Sequence, residues 1–298
     1  MIVLSSPAFY IPLACAVMYP IATLLIKSAL QKGADPWAVT ILNYWSMALI
    51  FLPAIFLDAR PVPWHLWYQP ALMGLFSFLG QACAFKAIST GDLTVSTPAL
   101  GSKVLLVALL TEIILKQSVP FFWWMAAGCS FAAVFFLQAG VSAARRKAFT
   151  TLFYSLLTAA FFALGDVLIQ KWSPGWGVFH FVPAFALISV LYSIVLIPLV
   201  KKPRLQFSVD TWKPLLGGTF VLGVQSLLLT TVIGFFGKVT QANIIFSSRG
   251  LWNFLMIWFV GHWFSNREKE AAGKSVMVNR FVGAGIMFLA IVLASLEH

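Results

Sequence analysis

The chain has 298 residues, 60% hydrophobic and 10% charged, with a mean hydropathy of +0.90 and a formal net charge of +11. Soluble domains carry about a quarter charged residues, so this composition excludes an ordinary soluble domain. The Lys and Arg lie in short loops between apolar runs, where they set membrane topology, and they do not form a nucleic-acid footprint.

Apolar stretches of about 20 residues recur along the whole length and predict ten spans, near 8–29, 36–57, 67–90, 93–115, 119–142, 150–171, 178–200, 214–236, 240–263 and 278–295. The first span is too long for a cleavable signal peptide and lacks a basic leader segment. It carries Tyr19, and the second holds Asn43, Tyr44 and Trp45. The third contains Gln81. The fourth contains Ser96, Pro98, Lys103 and, toward its end, Glu112. Pro98 is expected to kink that span and free the carbonyl of Thr94. Asp166 lies in the sixth span, Gln225 in the eighth, and Arg249, Trp252 and Asn253 in the ninth. Cys15, Cys83 and Cys129 are isolated in apolar segments, and no His pair has metal-ligand spacing, so neither a disulfide framework nor a metal or other cofactor is expected. Most of the Trp residues fall near span ends, as an interfacial belt does. The final Leu296-Glu297-His298 reads as the junction of an expression tag.

An internal repeat runs through the chain. Gly91-Asp92-Leu93-Thr94 and Ser102-Lys103 recur as Gly237-Lys238-Val239-Thr240 and Ser248-Arg249 at a single offset. Phe9-Tyr10 and Lys27 match Phe153-Tyr154 and Lys171, Gly74 and Gln81 match Gly218 and Gln225, and Pro53 answers Pro198. Residues 1–145 and 146–295 are therefore read as two five-helix repeats. Five is odd, so the second repeat enters the membrane from the opposite side. Such an inverted repeat places binding at the repeat interface near the midplane. Loops after odd-numbered spans hold 14 Lys and Arg against four after even-numbered spans, which puts both termini outside.

Several stretches resemble the drug/metabolite transporter superfamily, EamA type. They are the first span running into Lys27 and Asp35-Pro36, the run Ala84-Phe85-Lys86-Ala87-Ile88-Ser89-Thr90-Gly91 followed by Pro98, Glu112, and the segment Arg280-Phe281-Val282-Gly283-Ala284-Gly285. The resemblance implies alternating access around a cavity lined by spans 1, 3, 4, 6, 8 and 9. It also implies cargo such as amino acids, nucleotide sugars, sugar phosphates or S-adenosylmethionine-like metabolites. Two features depart from it. Such proteins keep both termini in the cytosol, against the loop charges here, and paired basic residues are not general among them. The basic pair is similar to the sugar-phosphate translocator branch.

Lys103 and Arg249 carry the functional expectation. A charge at the centre of a membrane helix costs roughly 2.5–3.5 kcal/mol even on the lenient insertion scale, so two in register call for a purpose. Arg suits bidentate capture of carboxylate or phosphate, and Lys acts as a point charge. The structural reading set against this is neutralisation by Asp166 and Glu112. Glu112, about 13 Å along the helix from Lys103, is too far to do so directly. Asp166 is expected to pair with a base or to serve coupling or gating. Trp252 is expected to stack on a ligand or on the guanidinium. Gln81, Gln225, Asn253, Ser96 and Tyr19 complete the candidate substrate-binding set. No hydrolase elbow, phosphate loop or zinc-protease motif is present, so no enzyme is expected. The expectation is a secondary transporter of a small anionic metabolite in a bacterial inner (plasma) membrane. Its partners are that metabolite and membrane lipid, without nucleic acid, and a homodimer is compatible. The alternative is a flippase for a lipid with an anionic head group.

Overall fold

In a computed structural model, which describes residues 6–90, 100–138, 148–200, 207–260 and 274–296, helices begin where the sequence supplies caps. Ser6 Oγ accepts the Ala8 amide at 3.3 Å, and Pro7 leads α1 (Pro7–Gln31). Asp35 Oδ1 accepts the Trp37 amide at 2.9 Å and the Ala38 amide at 3.4 Å, and Pro36 leads α2 (Pro36–Phe51). α2 tightens into a 3-10 stretch, Leu52–Leu57, where Pro53 removes a donor. The chain continues as α3 (Tyr68–Thr90), then α4 (Lys103–Leu110) with a π turn at Thr111–Leu115, then α5 (Phe121–Gln138). The remaining helices are α6 (Ala148–Trp176), α7 (Val178–Ser193) with a 3-10 tail at Ile194–Leu199, α8 (Val209–Phe236), α9 (Val239–Ser247), α10 (Arg249–Val260) and α11 (Lys274–Ser295). No β-strand occurs among the described residues.

Among the described residues, five stretches are long and apolar enough to cross a membrane: Pro7–Gln31, Pro36–Leu57, Phe149–Trp176, Val178–Leu199 and Val209–Phe236. Shorter apolar helices cover Phe121–Phe136 and Phe281–Ser295. Large apolar side chains such as Leu49, Phe56, Phe121 and Phe149 stand exposed on the exterior. This is an integral, multi-pass membrane protein of helical construction.

The tightest helix pairings are α1 with α8, α5 with α11, and α3 with α6. α2 packs on α7 and α8, α3 also on α7, α4 on α6, and α1 also on α9 and α10. Small residues permit the closest approaches. A Cβ on Gly218 of α8 would sit 2.8 Å from Ile26 Cγ1 and 3.1 Å from the Ala22 carbonyl of α1. A Cβ on Gly80 of α3 would sit 2.7 Å from the Phe162 ring of α6. The central core draws Cys15, Phe51, Val107, Val167, Phe181 and Phe246 from six different helices, so the two parts of the chain share one interior.

The segment after α2 is pinned to the turn between α6 and α7. Arg60 Nη2 lies 2.7 Å from Asp58 Oδ2, and His180 Nδ1 lies 3.7 Å from the same oxygen. The hydrogen bond from the Arg60 guanidinium holds the Asp58 carboxyl below its ordinary value, at about 2. Gly177, at φ +81°, lies against this pair, with the position of a Cβ filled by the Asp58 carboxylate. Trp64 meets Trp176 edge to face, with ring centroids 6.4 Å apart.

Candidate functional site

Each internal cation stands immediately after an irregular residue in its helix. Lys103 opens α4 behind Ser102, whose ψ of −15° is wound more tightly than a regular helix. Arg249 opens α10 behind Ser248, with a ψ of −12°. There the Ser248 amide bonds the Ile245 carbonyl at 3.1 Å and the Leu251 amide bonds the Ser248 carbonyl at 2.9 Å. Both span three residues, so the helix narrows into a 3-10 turn, a common mark of a hinge.

Lys103 Nζ lies 2.7 Å from Asp166 Oδ2 of α6, with the side chains 13% and 15% exposed. Removing one member of such an enclosed pair costs about 3–5 kcal/mol, because it strands the other charge. Arg249 has a different environment. Its guanidinium carbon lies 4.9 Å from the centroid of the Tyr19 ring and 4.5 Å from that of Phe246. Those rings meet edge to face at 5.9 Å. Among the described residues no carboxylate lies within 4.0 Å of Arg249. Ring faces attract a cation by about 0.5–2 kcal/mol, but they carry no charge that could neutralise it. The Arg249 charge acts electrostatically on Lys103, so the three groups form one cluster of two cations and one acid.

Other expected site residues have varied surroundings. Tyr19 stands in the cluster, and Pro20 beside it removes one rung from α1. Trp252 is half-buried against the central core, and its indole N–H has no hydrogen-bond partner among the described residues. The rings found over Arg249 belong to Tyr19 and Phe246. Asn253 is half-buried one residue further on. Gln225 is 3% exposed within α8, where its backbone carbonyl accepts the Cys15 thiol at 3.4 Å. Gln81 lines a narrow crevice with Trp37, Thr40, Tyr44, Phe78 and Leu196, between α2, α3 and the 3-10 tail of α7. The Tyr44 hydroxyl donates to the Ser77 carbonyl at 3.1 Å, and Trp45 is exposed on the exterior. Ser96 and Pro98, with Thr94, lie outside the described residues. Glu112 accepts the Trp124 indole N–H at 3.1 Å and the Val119 amide at 3.2 Å, fastening the end of the fourth span to α5.

Two groups escaped sequence reasoning as site residues. Phe246 is three positions before Arg249, and helical spacing places both on one face. Gln170 of α6 is the other. Its Oε1 accepts the Val239 amide at 2.8 Å, and its Nε2 donates to Gln117 Oε1 at 2.9 Å. Beside it the hydroxyls of Thr111 and Thr240 meet at 3.1 Å. Thr111 lies about 12 Å along the helix from Lys103, and Thr240 about 13 Å from Arg249. A polar interlock therefore ties these helix ends together.

Residues 6–138 match the EamA-like transporter family, a part of the drug/metabolite transporter superfamily. That family is one of membrane transporters of the drug/metabolite type. A likeness in fold covers more of the chain than that segment. A solved structure, titled only as a crystal structure of a protein, superposes with a TM-score of 0.74 at 16% identity, covering 96% of this chain and 97% of that one. At that identity the likeness shows a shared fold and nothing about cargo. A search of curated proteins found no match.

Proposed function

We propose that the protein is a secondary transporter for a small anion-bearing metabolite, working by alternating access between two inverted five-helix repeats, residues 1–145 and 146–295. One observation carries this reading: among the described residues Arg249 stands against two aromatic rings without an acid, while Lys103 has one. An intramembrane cluster left with an uncompensated positive charge is a place for an anion. In this reading Lys103 and Arg249 bind the anion, while Tyr19, Trp252, Asn253, Gln225, Gln81 and Ser96 shape or support the pocket. Asp166 is the gating or coupling group that holds Lys103 between loads. The membrane is the bacterial inner membrane.

The helix packing supports the repeat. Exchanging the two halves turns the α1–α8 pairing into α6–α3 and the α2–α8 pairing into α7–α3. It turns α4–α6 into the packing of α9 and α10 on α1, and it maps α2–α7 and α5–α11 onto themselves. The 3-10 tails after α2 and α7 correspond in the same way, as do the irregular residues Ser102 and Ser248. With ten spans, five in each half, the exchange reverses direction across the membrane.

The test is a thermal-shift screen of purified protein against amino acids, phosphorylated sugars, nucleotides and S-adenosylmethionine. A ligand at a hundredfold excess over its dissociation constant adds roughly 2.7 kcal/mol of apparent stability. Lys103→Ala and Arg249→Ala should fold and lose that shift. Normal binding and transport in both variants would refute the site.

A further inference from the structure

The two halves treat their cations differently. Lys171 of α6 corresponds to Lys27 of α1, and by that offset Asp166 corresponds to Ala22. Ala22 is fully buried against α8, and one turn earlier α1 presents the Tyr19 ring to Arg249. One helix therefore supplies its facing cation with a carboxylate, and its counterpart supplies an aromatic face. Among the described residues the cluster holds Lys103, Arg249 and Asp166, and two positive charges less one negative leave a formal charge of +1.

We propose that Asp166 is the charge filter of this site. By leaving a single uncompensated positive charge, centred on Arg249, it makes the pocket select a singly charged carboxylate over a doubly charged phosphate monoester. The argument rests on the anion-transporter reading above and narrows its substrate class. A carboxylate brings one negative charge and two in-plane oxygens, which match the guanidinium fork. The rings of Tyr19 and Phe246 flank the fork and suit a flat, weakly hydrated group. A phosphate monoester would bring about one charge more than the cluster can neutralise, in a region of low dielectric where excess charge is expensive. It is accommodated only if Asp166 is removed or neutralised.

The selectivity follows net charge, so it can be rewritten by substitution. Thermal shift and equilibrium binding are measured with two probe sets at matched ionic strength: acetate, lactate and benzoate, against glycerol phosphate and glucose phosphate. Wild type should bind a carboxylate and show no shift with the phosphate esters. Lys103→Gln leaves Arg249 and Asp166, a net charge of zero, and should weaken carboxylate binding by about tenfold or more. The double variant Lys103→Gln with Asp166→Asn restores +1 on Arg249 alone. It should recover part of the carboxylate binding that Lys103→Gln alone loses. Asp166→Asn alone, at +2, should gain binding to phosphate esters. The double variant also guards against misfolding, because Asp166 is not left charged without its lysine. Loss of binding in the single Lys variant without recovery in the double variant overturns the charge filter and leaves the transporter site standing. Unchanged binding in Lys103→Gln and Arg249→Gln overturns the site itself. Preference of wild type for phosphate esters, or no shift with either set, also overturns the proposal.

Discussion

Gln170 Oε1 accepts the Val239 amide at 2.8 Å, so a side chain of α6 caps α9, the helix that runs into the Ser248 turn and Arg249. The same amide group donates to Gln117 Oε1 beyond the end of α4. One residue thus joins the ends of the segments that carry Lys103, Asp166 and Arg249. Gln170→Ala should leave a buried backbone donor unpaired, which costs about 1–3 kcal/mol. The expected result is a lower melting temperature in detergent and faster opening at this end. An unchanged melting temperature would show that the cap is dispensable.

Thr111 and Thr240 lie at the same helix ends, their hydroxyls 3.1 Å apart. Thr111 also donates back to the Val107 carbonyl at 2.7 Å, so Thr240 is the partner with more to lose. A double-mutant cycle with Thr111→Val and Thr240→Val should give a coupling of about 0.5–1.5 kcal/mol in thermal stability. Strict additivity of the two substitutions would mean the hydroxyls do not work as a latch.

Gly177 at φ +81° has no room for a side chain against Asp58 and Arg60. Gly177→Ala combines a disfavoured backbone conformation with that clash, and strained conformations alone cost about 1–3 kcal/mol. The melting temperature should fall, and the segment from Asp58 to Trp64 should become more open to protease. A variant as stable as wild type would exclude a close-packed junction here.

Acid should loosen the same junction. The hydrogen bond from Arg60 holds the Asp58 carboxyl at about 2, below its ordinary 3.8. A carboxyl lowered by folding contributes stability above its unfolded pKa and loses it as pH falls through the folded value. The difference in melting temperature between wild type and Asp58→Asn should be constant near neutral pH. It should then shrink between about pH 4 and pH 2. A difference that grows on acidification would contradict the pairing.

Much of this was legible in the residues. Lys103 and Arg249 stood out because charge is expensive inside a membrane, and the repeat tied them together. Asp166 was visible as the one acid deep enough to reach either cation, but distance decides which, and only the fold brings it to 2.7 Å from Lys103. Helical spacing put Phe246 on the face of Arg249, but nothing in the sequence says that its ring meets the guanidinium and not lipid. Gln170 looked like a polar residue at a span end, since no local pattern shows that it caps a helix 69 residues away. Helix boundaries differ from the expected spans by a few residues. α6 runs through Pro174 to Trp176, beyond the expected end at 171. α8 starts at Val209 behind Ser208, with Pro214 tolerated near its first turns, instead of at 214. In both places the proline sits inside the helix, within two turns of its end.

The most direct measurement of the central claim is the affinity of benzoate for wild type and for Arg249→Gln, determined by equilibrium binding to purified, folded protein. Losing one charge-assisted contact is worth about 1.5–3 kcal/mol, so the Kd should rise by about tenfold to a hundredfold in the variant. Equal affinity in the two proteins would contradict the claim that Arg249 holds the unmet positive charge for an anion.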